Sequence, residues 1–121
     1  MMTSDSDNKE RQTAARIGNL RKAIDAIDDR LLVLINDRLK LAARIGAIKQ
    51  VAGNPVKDRA REKHVIDRLQ AANGGPIDND LLSRVFVDII RASCHLQNTI
   101  RLKNKEIQPE TESERNGQPH A

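Results

Sequence analysis

Residues 17–49 carry apolar side chains at alternating spacings of three and four residues. This spacing places them on one side of a long α-helix, as in the seam of a coiled coil. At the seam position between Leu34 and Leu41 the chain has Arg38 instead. Seam residues pack against partner helices, so the pattern predicts that the Arg38 guanidinium points into packed interior and requires an anion, from the protein or from a ligand. The apolar positions are Ile17, Leu20, Ile24, Ile27, Leu31, Leu34, Leu41, Ile45 and Ile48.

Two runs of turn-forming residues divide the chain into three predicted helices. Gly53, Asn54 and Pro55 end the first helix, and residues 73–76 end the second. Asp58 is placed to cap the second helix. The predicted helices cover residues 15–51, 59–70 and 80–103. At 1.5 Å per residue the first helix would be roughly 50 Å long. This is longer than the face of a compact domain of 121 residues, so the length of the helix indicates a partner chain.

Composition agrees with a single all-α domain. Phe86 is the only aromatic residue, so the core must be aliphatic, which favours helices packed on helices over a β-sandwich or barrel. The helical domain is predicted to cover residues 17–103. Residues 1–16 have little to bury and are expected to be disordered or frayed, and residues 104–121 are expected to form a disordered tail.

Charge and cysteine content narrow the classes of function. The 21 basic residues are interspersed with 17 acidic ones, and the net charge is only +4. The chain also has almost no aromatic rings on which bases could stack. Both features disfavour nucleic-acid binding. Cys94 alone can form neither an intramolecular disulfide nor a multi-cysteine zinc site. No apolar run approaches the roughly 20 residues that span a bilayer. We therefore expect a cytoplasmic protein with no metal site and no membrane association.

Polar residues interrupt the apolar faces of the first and third helices. Ser93 and Gln97 lie four residues apart, on one side of the third helix, although a serine bonded to its own helix and a solvent-facing glutamine would also explain them. Arg38 and Lys49 project from the same side of the first helix, about 16 Å apart. Arg21 lies about 26 Å before Arg38 along a straight helix, so it can serve the same anion only from another subunit. Taken singly, Arg21 and Lys49 fit a solvated helix face better.

A set of positions spread over all three helices forms a wider pattern. The positions are Leu20, Arg21, Ile24, Asp25, Ile27, Asp28, Leu31, Leu32, Arg38, Lys49, Pro55, Val56, Asp58, Arg61, Glu62, Ile89, Ile90, Ser93 and Gln97. This pattern closely resembles that of the all-α (AroQ-class) chorismate mutases. The resemblance covers residues 17–97 and includes an ungapped run from Arg21 to Glu62.

The resemblance implies an intertwined homodimer of three-helix chains, with the long first helices paired and two equivalent active sites. It implies chorismate, a small dicarboxylate, as the substrate, and no cofactor. Arg38 and the partner's Arg21 would clamp the substrate carboxylates, while Lys49 and Gln97 would donate hydrogen bonds to the ether oxygen. Glu62 would hold the substrate hydroxyl with the backbone around Asp58. The other implied substrate-binding residues are Arg61 and Ser93.

The implied reaction is the Claisen (pericyclic) rearrangement of chorismate to prephenate in aromatic amino acid biosynthesis. It requires no nucleophile or metal, but it does require a reactive conformer and preorganised donors in a dry pocket. Two alternatives remain open from the sequence. One is an isochorismate-pyruvate lyase on the same scaffold, and the other is a non-catalytic helical dimerisation or regulatory module.

Overall fold

The computed structural model describes residues 4–107 and contains three α-helices, which confirms the predicted all-α fold. The helices are α1 (Asp5–Val51), α2 (Arg59–Ala72) and α3 (Asn79–Ile107). The chain divides into two units between Asn36 and Asp37. The N-terminal unit holds the first part of α1, and the C-terminal unit holds the rest of α1 together with α2 and α3.

Both outer helix ends differ from the sequence prediction. α1 begins at Asp5, so residues 5–16 are helical, although they were expected to be disordered or frayed. The Ser4 Oγ accepts a hydrogen bond from the backbone N–H of Asp7 at 3.2 Å, and the two first-turn aspartates favour the positive helix terminus. These local contacts stabilise a helix start that buries nothing. α3 continues to Ile107, and the remainder of the predicted tail lies outside the described residues.

The apolar stripe of α1 consists of the nine seam residues from Ile17 to Ile48 given above. In the single chain every one of them is between 42% and 70% exposed. In the C-terminal unit a different set of α1 residues contacts α3, namely Arg38, Ala42 and Gly46. Because Leu41 and Ile45 precede Ala42 and Gly46 by one residue, the two faces are about 100° apart. Arg38 therefore packs against α3 of its own chain.

The core of the C-terminal unit is aliphatic, as predicted, and it is small. Val56 and Val65 are its buried hydrophobic residues, and α2 packs against α3. The predicted helix breaks are confirmed. Asp58 is the N-cap of α2, and the Asp78 Oδ1 caps α3 by accepting the N–H of Leu81 at 2.8 Å.

Within residues 4–107, none of the helices has the length and hydropathy that crossing a membrane requires.

The cap of α3 can be tested by substitution. Asp78→Ala is expected to lower the free energy of unfolding by about 1 kcal/mol, because the N–H of Leu81 loses its acceptor. Asp78→Asn keeps a side-chain oxygen and is expected to change that free energy by less than about 0.5 kcal/mol. Urea denaturation at one fixed protein concentration measures both variants. Equal losses in the two variants would contradict the capping role.

Candidate active site

One cavity of about 300 Å³ lies in the C-terminal unit, where α1, the start of α2 and α3 meet. It is lined by seven of the eight predicted site residues, namely Arg38, Lys49, Asp58, Arg61, Glu62, Ser93 and Gln97. The eighth, Arg21, lies exposed in the N-terminal unit. A larger opening of about 740 Å³ beside α2 and α3 contains only Glu62 of the predicted residues, so the smaller cavity is the candidate site.

Arg38 is held by α3. Its Nη1 donates a hydrogen bond of 3.1 Å to the Ser93 Oγ, which in turn donates one of 3.1 Å to the Ile89 carbonyl oxygen. Ser93 is only 6% exposed, and Arg38 is half-buried. Among the described residues no carboxylate forms an ion pair with Arg38. Within residues 4–107, therefore, no ion pair supplies the anion that the sequence predicted for this guanidinium.

Gln97 lies at a close contact between α3 and α1. Its side chain is 7% exposed, and its Nε2 donates a hydrogen bond to the Ala42 carbonyl oxygen. A Cβ atom built on Gly46 would lie 2.7 Å from the Gln97 Cγ, which is closer than packed carbon atoms come. Glycine at position 46 therefore allows Gln97 to reach the α1 backbone at the floor of the cavity.

Lys49 is oriented by the loop that follows α1. Its Nζ donates a hydrogen bond of 3.4 Å to the Val56 carbonyl oxygen. Its own carbonyl oxygen accepts the N–H of Asn54 at 2.7 Å. An ammonium group carries three hydrogens, so two donors remain for a ligand after the bond to Val56.

The first turn of α2 brings both carboxylates to the cavity. The Asp58 Oδ1 accepts the backbone N–H of Arg61 at 2.9 Å, and the Asp58 carbonyl oxygen accepts that of Glu62 at 3.0 Å. These bonds fix the turn and leave the half-buried Glu62 carboxylate free of hydrogen bonds to other described residues. Arg61 and the helix terminus add positive potential on the same side.

The cavity holds more cationic groups than the described chain neutralises. Three cations and two carboxylates line it, and the two ion pairs found among residues 4–107 are exposed pairs elsewhere that include none of the five. Within the same residues no group of three or more His, Cys, Asp or Glu side chains is arranged to hold a metal ion. Arginine binds carboxylates through paired hydrogen bonds, so the cavity suits a small ligand that bears carboxylates.

Apolar side chains complete the wall of the cavity and were not predicted as site residues. They are Leu41, Ala42, Ile45, Val56, Val65, Ile90 and Cys94. Helical spacing was the available signal for two of them, because Ile90 and Cys94 lie three residues before Ser93 and Gln97 on the same face of α3.

The chain is similar in sequence to proteins of known activity. The model of the family described as chorismate mutase type II matches residues 20–98. The bifunctional chorismate mutase/prephenate dehydratase of Aquifex aeolicus is 37% identical over 87 residues, which cover 69% of this chain and 24% of that protein. The chorismate mutase of Methanocaldococcus jannaschii is 32% identical over 83 residues, which cover 68% of this chain and 84% of that protein. The chain thus spans about a quarter of the length of the bifunctional relative.

Solved structures give the same relationship. The chorismate mutase of Thermus thermophilus (form II) superposes with a TM-score of 0.68 at 32% identity, covering 69% of this chain and 94% of that one. The chorismate mutase of Helicobacter pylori, solved in complex with prephenate, superposes with a TM-score of 0.66 at 28% identity, covering 70% and 92%.

The contact between Gly46 and Gln97 can be tested with a matched pair of substitutions. Gly46→Ala is expected to lower the free energy of unfolding by about 1–3 kcal/mol, the usual cost of overpacking. Gly18→Ala is the control in the same helix, because a Cβ there meets no atom within 4 Å. The control is expected to stabilise the chain by up to about 1 kcal/mol through helix propensity. Urea midpoints compare the two, and equal stability would count against the close contact.

Proposed function

The chain belongs to the chorismate mutase type II family, and from this premise we propose that it is an isomerase that rearranges chorismate to prephenate. In this Claisen shift an ether C–O bond breaks as a C–C bond forms, without a cofactor. The observation that supports the proposal most directly is the meeting of seven family-pattern residues at one cavity. None of the three cations there forms an ion pair with a described residue. Chorismate is a dicarboxylate and would supply the missing anions.

Arg38 is the first group proposed to bind a substrate carboxylate. The bond from its Nη1 to Ser93 leaves its other N–H groups for the ligand. The single hydrogen of the Ser93 hydroxyl is used on the Ile89 carbonyl oxygen. Ser93 therefore assists carboxylate binding by orienting Arg38 and does not donate to the substrate itself.

Lys49 and Gln97 are proposed to stabilise the negative charge that grows on the ether oxygen. Gln97 uses one amide hydrogen on the Ala42 carbonyl oxygen, and its second remains available. Lys49 keeps two donors after its bond to Val56. Both side chains are held before substrate arrives, so little reorganisation is needed in the transition state, which is how preorganised donors accelerate such a step.

The first turn of α2 is proposed to hold the substrate hydroxyl. Glu62 lines the cavity, is half-buried and can accept a hydrogen bond from that hydroxyl. The backbone around Asp58 lies on the same side, and Arg61 adds positive potential beside the substrate carboxylates. These contacts would select the compact conformer in which the two reacting carbons lie close together.

A homodimer is proposed to complete the site. The apolar stripe of α1 is uncovered in the single chain, with Leu20 at 66% and Ile48 at 70% exposed. A continuous apolar surface of this kind marks an interaction site. Pairing of two α1 helices would cover the stripes and would bring Arg21 of the partner subunit to the second substrate carboxylate. Arg21 is not among the residues lining its own chain's cavity.

We place the reaction in phenylalanine and tyrosine biosynthesis, in the cytoplasm. The prephenate complex of the Helicobacter pylori relative supports prephenate as the product. A lone cysteine with no partner for an intramolecular disulfide suits a reducing compartment.

The activity is tested by following chorismate disappearance in the ultraviolet and identifying the product. The unaltered chain is expected to form prephenate. Lys49→Ala is expected to lower kcat by about 10² to 10³-fold, or roughly 3–4 kcal/mol, because one donor to the developing oxyanion is lost. Lys40→Ala is the control, since Lys40 is an exposed lysine of the same helix, and its kcat should not change.

A parallel assay with isochorismate distinguishes the lyase alternative. If the chain releases pyruvate from isochorismate and forms no prephenate from chorismate, the proposed function is wrong and the chain is a lyase. No turnover of either substrate would favour a non-catalytic helical module.

The shared site is tested by mixing two inactive variants. Arg21→Ala removes the group proposed to cross to the partner subunit, and Lys49→Ala removes a group of the chain's own cavity. A heterodimer of the two contains one site that lacks both groups and one that is intact, so subunit exchange is expected to restore activity. The measurement is kcat per heterodimer after exchange is verified by mass spectrometry. Absence of recovery would exclude the shared site.

A further inference from the structure

The turn that ends α1 is closed by two backbone hydrogen bonds. Gly53 has a φ of 77°, and its N–H donates to the Gln50 carbonyl oxygen at 3.1 Å. The N–H of Asn54 donates to the Lys49 carbonyl oxygen at 2.7 Å. This pair is the Schellman arrangement, in which a left-handed residue closes the last helical turn. The main chain of Lys49 is thus part of the turn.

Arg101 of α3 holds this turn from the outside. Its Nη2 donates a hydrogen bond of 2.8 Å to the Asn54 carbonyl oxygen, across 47 residues of sequence. The side chain is half-buried, and its Nε is enclosed without a hydrogen-bond partner among the described residues. Enclosing a guanidinium in this way has a desolvation cost, which the charge-assisted bond to Asn54 and the nearby negative end of α1 offset.

Arg101 also continues the line of polar residues that forms the site. Ser93, Gln97 and Arg101 lie four residues apart and therefore share one side of α3. The first two contact α1 and line the cavity. Arg101 lies one turn farther on, where it contacts Asn54 in the turn that follows α1 and does not line the cavity. The polar face of α3 is thus longer than the substrate pocket.

Two contacts connect the turn to Lys49, one through its main chain and one through its ammonium group. Asn54 accepts from Arg101 through its carbonyl oxygen and donates to Lys49 through its N–H. Two residues farther on, the Val56 carbonyl oxygen accepts the bond from the Lys49 Nζ. A shift of Asn54 therefore moves both the main-chain bond and the side-chain bond of Lys49.

We propose that Arg101 is a positioning residue for Lys49. By holding the Asn54 carbonyl oxygen it fixes the turn that directs the Lys49 Nζ into the cavity. The inference rests on the proposed function, in which Lys49 donates to the ether oxygen. Because a displacement of about 1 Å in a reacting group can lower a rate about 10²-fold, loss of this bond acts mainly on kcat.

The kinetic test compares two variants of Arg101 with a matched arginine on the same helix. Arg101→Met removes the donors but keeps the aliphatic stem, and it is expected to lower kcat about tenfold or more while KM changes less than about threefold. Arg101→Lys can still donate to a single carbonyl oxygen and is expected to recover kcat to within about threefold of the unaltered chain. Arg91→Met is the control, since the Arg91 side chain is 77% exposed, and its kcat should not change.

Two further measurements separate positioning from a general loss of structure. Amide exchange of the Asn54 N–H is expected to be faster in Arg101→Met and unchanged in Arg91→Met. The double variant Lys49→Ala, Arg101→Met is expected to have a kcat within about twofold of that of Lys49→Ala alone, because the group that Arg101 positions is already absent.

A normal kcat in Arg101→Met would overturn the inference. So would an Arg101→Met substitution that lowers kcat by the same factor in the Lys49→Ala background as in the unaltered chain. Absence of chorismate turnover by the unaltered chain would refute the proposed function. An unchanged exchange rate of the Asn54 N–H in Arg101→Met would refute the positioning role of Arg101 and would leave the proposed function standing.

Discussion

The close approach of α3 to α1 at Gly46 is the constraint on which the site depends. Since glycine has no Cβ, the Gln97 side chain fits against α1 and reaches the Ala42 carbonyl oxygen. The same approach brings the Ser93 hydroxyl within 3.1 Å of the Arg38 Nη1. A larger residue at position 46 would push the helices apart and separate the donors at one end of the cavity from those at the other.

Arg38, Lys49 and Gln97 are each held by a hydrogen bond within the protein and still keep hydrogens for a ligand. Gln97 and Ser93 are almost fully buried, where an unsatisfied polar group would be costly, and both are bonded to helix carbonyl oxygens. Lys49 is bonded to the loop that follows its own helix. The scaffold bonds orient these groups, and the unused hydrogens define where an anionic substrate can be recognised.

The helices and their breaks followed from local signals in the sequence, whereas the set of polar residues that lines the cavity followed from the resemblance to the chorismate mutase family. The start of α1 at Asp5 did not, because hydrophobic periodicity does not report a helical segment that buries nothing. The surroundings of Arg38 were only half predicted. Its position was correctly expected to be packed, but a single seam cannot describe a helix that uses two faces about 100° apart. Helical spacing places Arg101 on the same side of α3 as Ser93 and Gln97, but no local pattern indicates its contact with Asn54, which lies 47 residues away in the sequence.

Ser93 and Gln97 occupy buried positions of α3 where a helix would ordinarily place leucine or isoleucine. Burying an aliphatic side chain there would contribute on the order of 1.5–3 kcal/mol, but the hydrogen bonds that join Ser93 and Gln97 to α1 would be lost. The pair of helices α1 and α3 is therefore less stable than it would be with aliphatic residues at these two positions. Substitutions that raise thermal tolerance without loss of turnover should accumulate on the outer faces of α2 and α3, and this one strip of α3 should resist them.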